Sequence, residues 1–157
     1  MTYFGFLLRF IVLPILMLAL LNWWDARVGR QLPQSLRAAS PWAVLGVLIL
    51  VALIYTTPWD NYLVASGVWW YDPALVSGAV FGWVPLEEYL FFLLQPILVG
   101  LWLVWLARRI PVSAAPAPGW TRIALTAGLG VAWIVSVVLL ATNSQSARYL
   151  ALTLSWA

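Results

Sequence analysis

Two adjacent glutamates, Glu87 and Glu88, stand behind Pro85 in an otherwise apolar run, FGWVPLEEYLFF (81–92). An ionised side chain at the centre of a bilayer costs about 2.5–3.5 kcal/mol on insertion scales. Such a pair therefore calls for a chemical reason. A carboxylic acid kept neutral and away from water is a Brønsted acid, and a carboxylate beside it is a base. Phe81, Trp83, Tyr89, Phe91 and Phe92 crowd the two glutamates. Aromatic faces stabilise a cation by about 2 kcal/mol or more when desolvated. Acid plus aromatic lining is the equipment for protonating an alkene and holding the carbocation that results. The plainer reading stays open beside it: acids near a helix N-terminus are favoured by the dipole and can be interfacial.

The element that must position the pair is a helix. Pro85 suits a first helical turn, where its missing N–H costs nothing. A span from Val84 or Pro85 through Leu106 would run for about 33 Å at about 1.5 Å per residue. Glu87 would then lie above Phe91, and Glu88 above Phe91, Phe92 and Gln95. Arg9 lies six residues into the first apolar stretch and enters from the same side. It is expected at the depth of the glutamates, as charge partner of one of them, with snorkelling to the interface as the alternative. With one carboxylate held ionised by Arg9, the other would carry the proton.

Composition demands a membrane. Of 157 residues, 64% are hydrophobic and 8% charged, against about 25% charged in soluble domains. The net charge is +3, and all eight basic residues are arginines scattered along the chain, a pattern that fits membrane topology rather than nucleic acid. Cysteine and histidine are absent from the sequence. Disulfides, thiolates and imidazole bases are thereby excluded, and a metal site would need carboxylates alone; none is expected. The N-terminus carries neither a basic n-region nor a small-residue cleavage site, so its apolar stretch reads as a retained span.

Four stretches reach the roughly 20 residues that cross the hydrocarbon: Tyr3–Trp24, Pro41–Trp59, Val84–Leu106 and Ile123–Thr142. A fifth begins near Ala147 and stops at Ala157, which reads as a truncated span. The expected fold is all-α, a transmembrane bundle of four full spans plus that fragment. Arg27, Arg30 and Arg37, with Asp25, follow span one, and Arg108, Arg109 and Arg122 follow span three. The connection between spans two and three holds Asp60 and Asp72 and no arginine. The positive-inside rule puts the first and third connections inside and the N-terminus outside. Trp23, Trp24, Trp42, Trp105 and Trp120 then mark the inner interface, and Trp59, Trp69, Trp70 and Trp83 the outer one, with Trp133 as a mid-span exception. PVSAAPAPG (111–119) is a Pro/Ala linker. It divides a three-span domain, 1–110, from a connector span and the start of a further repeat, 120–157.

PLEEYLF (Pro85–Phe91) resembles the Pro-x-Glu-Glu/Asp-x-x-Phe motif of the membrane-embedded, non-flavoprotein lycopene cyclase domain family. PWDNYLVASGVWWYDP (58–73) is similar to that family's segment between its second and third spans, with Asp60, Trp69 and Trp70 in place. The resemblance covers residues 1 to about 110, and RYLALTLSWA (148–157) looks like the opening of a second three-span repeat, whose own Pro-x-Glu-Glu motif this sequence lacks. It implies cyclisation of the end group of a linear carotenoid, lycopene or a relative, in a prokaryotic inner membrane, with a second repeat or subunit completing the catalytic unit. Glu87 and Glu88 would be acid and base and Asp60 a further proton handler. Phe91, Trp69 and Trp70, with Pro85, would contact substrate and cation. No G-x-G-x-x-G follows a strand, so no flavin or nicotinamide site is expected and no cofactor is implied. Two other readings stand beside it. A proton-coupled transporter or channel half would spread its acids through the membrane's depth. A carotenoid-binding subunit without catalysis would keep the aromatics and tolerate loss of the acids. The C40 or C50 length of the substrate and the ring type are left open by the sequence.

Overall fold

Residues 1–37, 40–110, 118–142 and 145–156 are described by the structure, a computed structural model. The proposed Pro/Ala linker falls mostly on 111–117, outside the described residues. Four helices are long and apolar enough to cross a membrane: Tyr3–Arg27, Pro41–Ala65, Leu86–Ala107 and Gly119–Ala141. The chain divides into two units, Met1–Val112 and Ser113–Ala157.

In the first unit, Thr2 caps the entry helix, its Oγ1 accepting from the Gly5 N–H at 3.2 Å. Helix α1 (Tyr3–Leu7) runs into a π-helical turn (Leu8–Val12) and then into α2 (Leu13–Arg27). The wide turn sits immediately before Pro14, whose ring would collide with the carbonyl four residues back in an unbroken α-helix. A short helix, α3 (Gln34–Arg37), precedes α4 (Pro41–Ala65), which Ser40 caps and Pro41 opens. This second span is six residues longer than the sequence suggests, because Asp60 and the polar residues after Trp59 continue the helix to Ala65. Asp60 is therefore in a span, not in the connection after it.

Strands β1 (Val80–Phe81) and β2 (Val84–Pro85) form a two-residue antiparallel ladder, Val80 facing Pro85 and Phe81 facing Val84. Helix α5 (Leu86–Ala107) follows at once. Pro85 is thus not in the first helical turn, as the sequence suggests; it is the N-cap, extended at φ −70° and ψ 153°. The Leu86 N–H reaches the Ala79 carbonyl at 2.8 Å, so the ladder fixes where the helix starts.

Helix α5 is the centre of this unit, packed against both α2 and α4. Two polar cross-links hold α2 to α5. The buried Asn22 amide donates from Nδ2 to Leu18 O and to Leu101 O, both at 2.9 Å, the second across the helix pair. Such interhelical bonds are worth about 0.6 kcal/mol on average within a membrane. At the other end of these helices Asp25 is fully buried, clamped by Arg109 of the α5 exit and by Arg30 at 3.0 Å. Arg108 adds a bond to the Arg30 carbonyl at 2.7 Å. The arginines that sequence analysis assigns to topology alone therefore also tie the α2 and α5 ends together.

In the second unit α6 (Gly119–Ala141) packs against α7 (Gln145–Trp156). Trp133, out of place in an interfacial belt, donates from Nε1 to the Ser155 carbonyl of α7 at 3.0 Å. Ser136 is buried and returns its hydroxyl to the Ala132 carbonyl at 2.8 Å.

Two outcomes follow from this architecture. Asp25→Ala leaves two guanidinium groups facing an emptied site, and removing one partner of a buried pair is strongly destabilising. It should lower the melting temperature in detergent by several degrees, and by more than Arg30→Ala, because Arg30 is half exposed. The cysteine-free sequence also lets single replacements report orientation. Asp72→Cys should react with an impermeant maleimide from outside intact cells, and Arg37→Cys only after lysis.

Candidate functional site

Glu87 and Glu88 occupy the first turn of α5, at 0% and 8% exposure, and Asp60 in the last turns of α4 is 2% exposed. Three carboxylates are thus buried at neighbouring helix ends. What covers them is the connection 66–79 and the N-terminus. The Ser77 N–H donates to Glu87 Oε1 at 2.5 Å, and the Tyr71 hydroxyl donates to Asp60 Oδ2 at 3.0 Å. The Tyr3 hydroxyl donates to Glu88 Oε2, while the Tyr3 N–H pins the connection through the Leu75 carbonyl at 2.8 Å. Asp72 stiffens the same connection by accepting the Ala74 N–H at 2.9 Å.

Tyr71 stands beside the Glu88 carboxylate as well as Asp60. Burial first, and then the charges of Glu88 and Asp60, raise the pKa of its phenol well above the ordinary tyrosine range. It is a neutral donor throughout the physiological range.

Two carboxylate oxygens, Glu87 Oε2 and Asp60 Oδ1, are buried with no hydrogen-bond partner among the described residues. An unmet buried acceptor costs about 1–3 kcal/mol, more for a charged group. No guanidinium pairs with any of the three acids among the described residues. Burying three carboxylates with no cation on them among the described residues is costly for their ionised forms.

This corrects the expectation for Arg9. Leu7 and Ile11 are buried one turn apart, and Arg9 lies on the opposite, exposed side of the helix between them. Its Nη1 reaches Met1 Sδ at 3.5 Å. The helix face, not the depth, decides the contact, and it gives Tyr3 to Glu88 in place of Arg9.

The aromatic candidates separate. Trp69 is half-buried and meets Tyr71 edge to face at 6.2 Å, whereas Trp70 is 77% exposed. Phe91 and the buried Phe92 line a groove of about 370 Å³ between α4 and α5, which continues past Gln95 and Val99 to Gly100 and Leu103. The groove is almost wholly apolar. Tyr89 carries the edge of the site: it meets Phe81 and Phe92 edge to face, each at 6.0 Å, and its hydroxyl donates to the Phe81 carbonyl at 3.0 Å.

Asn61, next to Asp60, joins the elements. Its Nδ2 donates to Thr57 O at 2.9 Å and to Tyr89 Oη at 3.1 Å, and its Oδ1 accepts the Trp83 N–H at 2.8 Å. Gly82 takes φ +67° in the tight turn between β1 and β2, with the Asn61 side chain against its Cα. Tyr3, Tyr71, Ser77 and Asn61 escape sequence analysis. The tyrosine directly behind the Trp69–Trp70 pair is the one visible signal; Tyr3 and Glu88 are 85 residues apart and nothing local links them. The three acids meet at one end of the first unit, where the last turns of α4 adjoin the start of α5.

No family model matches the chain, and no solved structure matches it. Curated relatives do. The lycopene beta-cyclase of Halobacterium salinarum is 49% identical over 74 residues, 47% of this chain and 31% of that protein. Over that segment the chain is similar to a protein named lycopene beta-cyclase. The bifunctional lycopene cyclase/phytoene synthase of Gibberella fujikuroi is 32% identical over 112 residues, 70% of this chain and 19% of that protein. The protein of the same name from Podospora anserina is 31% identical over 121 residues, 72% of this chain and 20% of its own length. The chain therefore spans a third or less of the length of these relatives.

The geometry of the β1–β2 turn yields a direct test. Gly82→Ala meets both a left-handed backbone, about 1–2 kcal/mol of strain, and the Asn61 amide. Gly29 at φ +79° has open space around it. In chemical or thermal unfolding Gly82→Ala should cost more than Gly29→Ala.

Proposed function

We propose that this chain contributes the acid cluster of a membrane carotenoid cyclase acting on lycopene or a related linear carotenoid, working in a prokaryotic inner membrane. The reading is carried by one observation: Glu87, Glu88 and Asp60 are buried at neighbouring helix ends, with no cation paired to them among the described residues, beside an apolar groove between α4 and α5. The homology to lycopene cyclases names the substrate class to try first.

The reaction is an isomerisation. A carboxylic acid of the cluster gives its proton to the terminal carbon–carbon double bond, forming one C–H bond and a tertiary cation. The neighbouring double bond attacks the cation and closes a six-membered ring. A carboxylate then takes one ring proton, and the electrons of that C–H bond form the new ring double bond. Glu87, Glu88 and Asp60 share the acid and base roles, and the bare oxygens Glu87 Oε2 and Asp60 Oδ1 are the atoms free to address the substrate. Phe91 and Trp69 are the rings offered to the cation; Trp70, at the surface, serves as an interfacial anchor. Pro85 acts indirectly, by fixing the start of the helix that carries the glutamates. The polyene would lie along the groove from Phe92 toward Leu103, with its end group at the acids. Given the length of the relatives, a second cyclase repeat or subunit completes the unit. Neither metal nor redox cofactor enters these steps.

Expression with the sequence that naturally accompanies it, in a host that accumulates lycopene, tests the reading by chromatography of the pigments. The parent should give cyclic product, with the β ring as the first to look for. Glu87→Gln and Glu88→Gln should each lower its formation by about 100-fold or more at equal membrane expression. Unchanged lycopene with the parent, or full cyclisation by both variants, returns the proton-transporter and carotenoid-binding readings to the front.

A further inference from the structure

Ring closure by acid and base leaves a proton on the wrong group. The acid has become a carboxylate and the base a carboxylic acid, while substrate and product have the same composition. Before the next closure one proton must travel back. This inference rests on the cyclase reading above and concerns how that site resets.

Water is poorly placed to carry the proton. The three acids are at most 8% exposed, and 66–79 is bonded across them through Tyr71, Leu75 and Ser77. One hydroxyl stands between two of them. Tyr71 donates to Asp60 Oδ2 at 3.0 Å and lies beside Glu88. Tyr3, by contrast, gives its hydroxyl to Glu88 alone among the described hydrogen bonds.

We propose that the Tyr71 hydroxyl is the relay that returns the proton between Asp60 and Glu88 after each ring closure. The phenol oxygen accepts the proton from whichever of the two has become protonated, and the phenol O–H passes its own hydrogen to the other. At the phenol oxygen one O–H bond forms as the other breaks, the protonated carboxyl loses its O–H bond and the carboxylate gains one, and rotation about the phenol C–O bond restores the starting state. No tyrosinate is formed, in keeping with a phenol whose burial and acidic neighbours hold it neutral. The relay thereby narrows the shared roles to Asp60 and Glu88, one as acid and the other as base on opposite sides of Tyr71, while Glu87, fixed by the Ser77 N–H, stands outside the relay and faces the substrate through its bare Oε2.

An internal relay recycles substrate hydrogen: the proton lost by one end group is delivered to the next. Membranes carrying the chain with its natural accompanying sequence, moved into heavy water and given lycopene, read this directly. The deuterium content of the cyclic product is measured by mass spectrometry. The parent should place deuterium on well under half of the new rings. Tyr71→Phe keeps the ring and its contact with Trp69 but removes the hydroxyl. It should slow turnover by roughly tenfold or more, leave KM unchanged, and give fully deuterated rings, because the site now resets from solvent. A variant that merely loosens the fold would lower activity without changing the label. Fully deuterated rings from the parent, or the same low label from parent and variant, overturn the relay. If Tyr71→Phe fails to insert, the label on the parent's product decides alone, sparse supporting and full refuting. Absence of cyclic product from the parent sinks the cyclase reading itself, which is a separate outcome from cyclic product that is fully labelled.

Discussion

Burial of three carboxylates at the ends of apolar helices, with no guanidinium paired to them among the described residues, is the constraint around which the first unit is arranged. Each acid has to be solvated by protein. The sources are specific: a backbone N–H from Ser77 for Glu87, a phenol from Tyr71 for Asp60, and a phenol from Tyr3 for Glu88. Two of their oxygens, Glu87 Oε2 and Asp60 Oδ1, are left without a hydrogen-bond partner among the described residues. The same bonds hold the connection 66–79, which is mostly exposed, to the helix ends through Tyr71, Leu75 and Ser77.

The two ends of the α2–α5 pair use charge in opposite ways. At the acid end the carboxylates have no cation among the described residues and take neutral donors. At the other end Asp25 is equally buried but sits between Arg109 and Arg30, with Arg109 also stacked over Trp105 at 4.2 Å. Counter-ions, not burial, separate the two ends among the described residues.

Positioning depends on short-range devices placed before each helix. The β1–β2 ladder and Pro85 set the first residue of α5, and the i, i+4 spacing then carries the effect down to Phe91 and Phe92 at the mouth of the groove. A shift of one residue at Leu86 would rotate the glutamates by about 100°, away from Ser77 and Tyr3. The π turn before Pro14 has a comparable role in the first span, where it turns Leu7 and Ile11 inward and Arg9 outward.

The sequence by itself determined the membrane class and the four long apolar helices found among the described residues, because hydropathy over about 20 residues is a local property. The ends of those helices were less legible. The polar stretch after Trp59 reads as a connection, yet it continues the helix to Ala65, since local polarity does not stop a helix that still packs against a neighbour. Which donor serves each acid was decided by tertiary structure alone. Arg9 and Tyr3 are six residues apart on the same helix and enter from the same side, and only the face each occupies, set by packing against α5, determines that the phenol and not the guanidinium reaches Glu88.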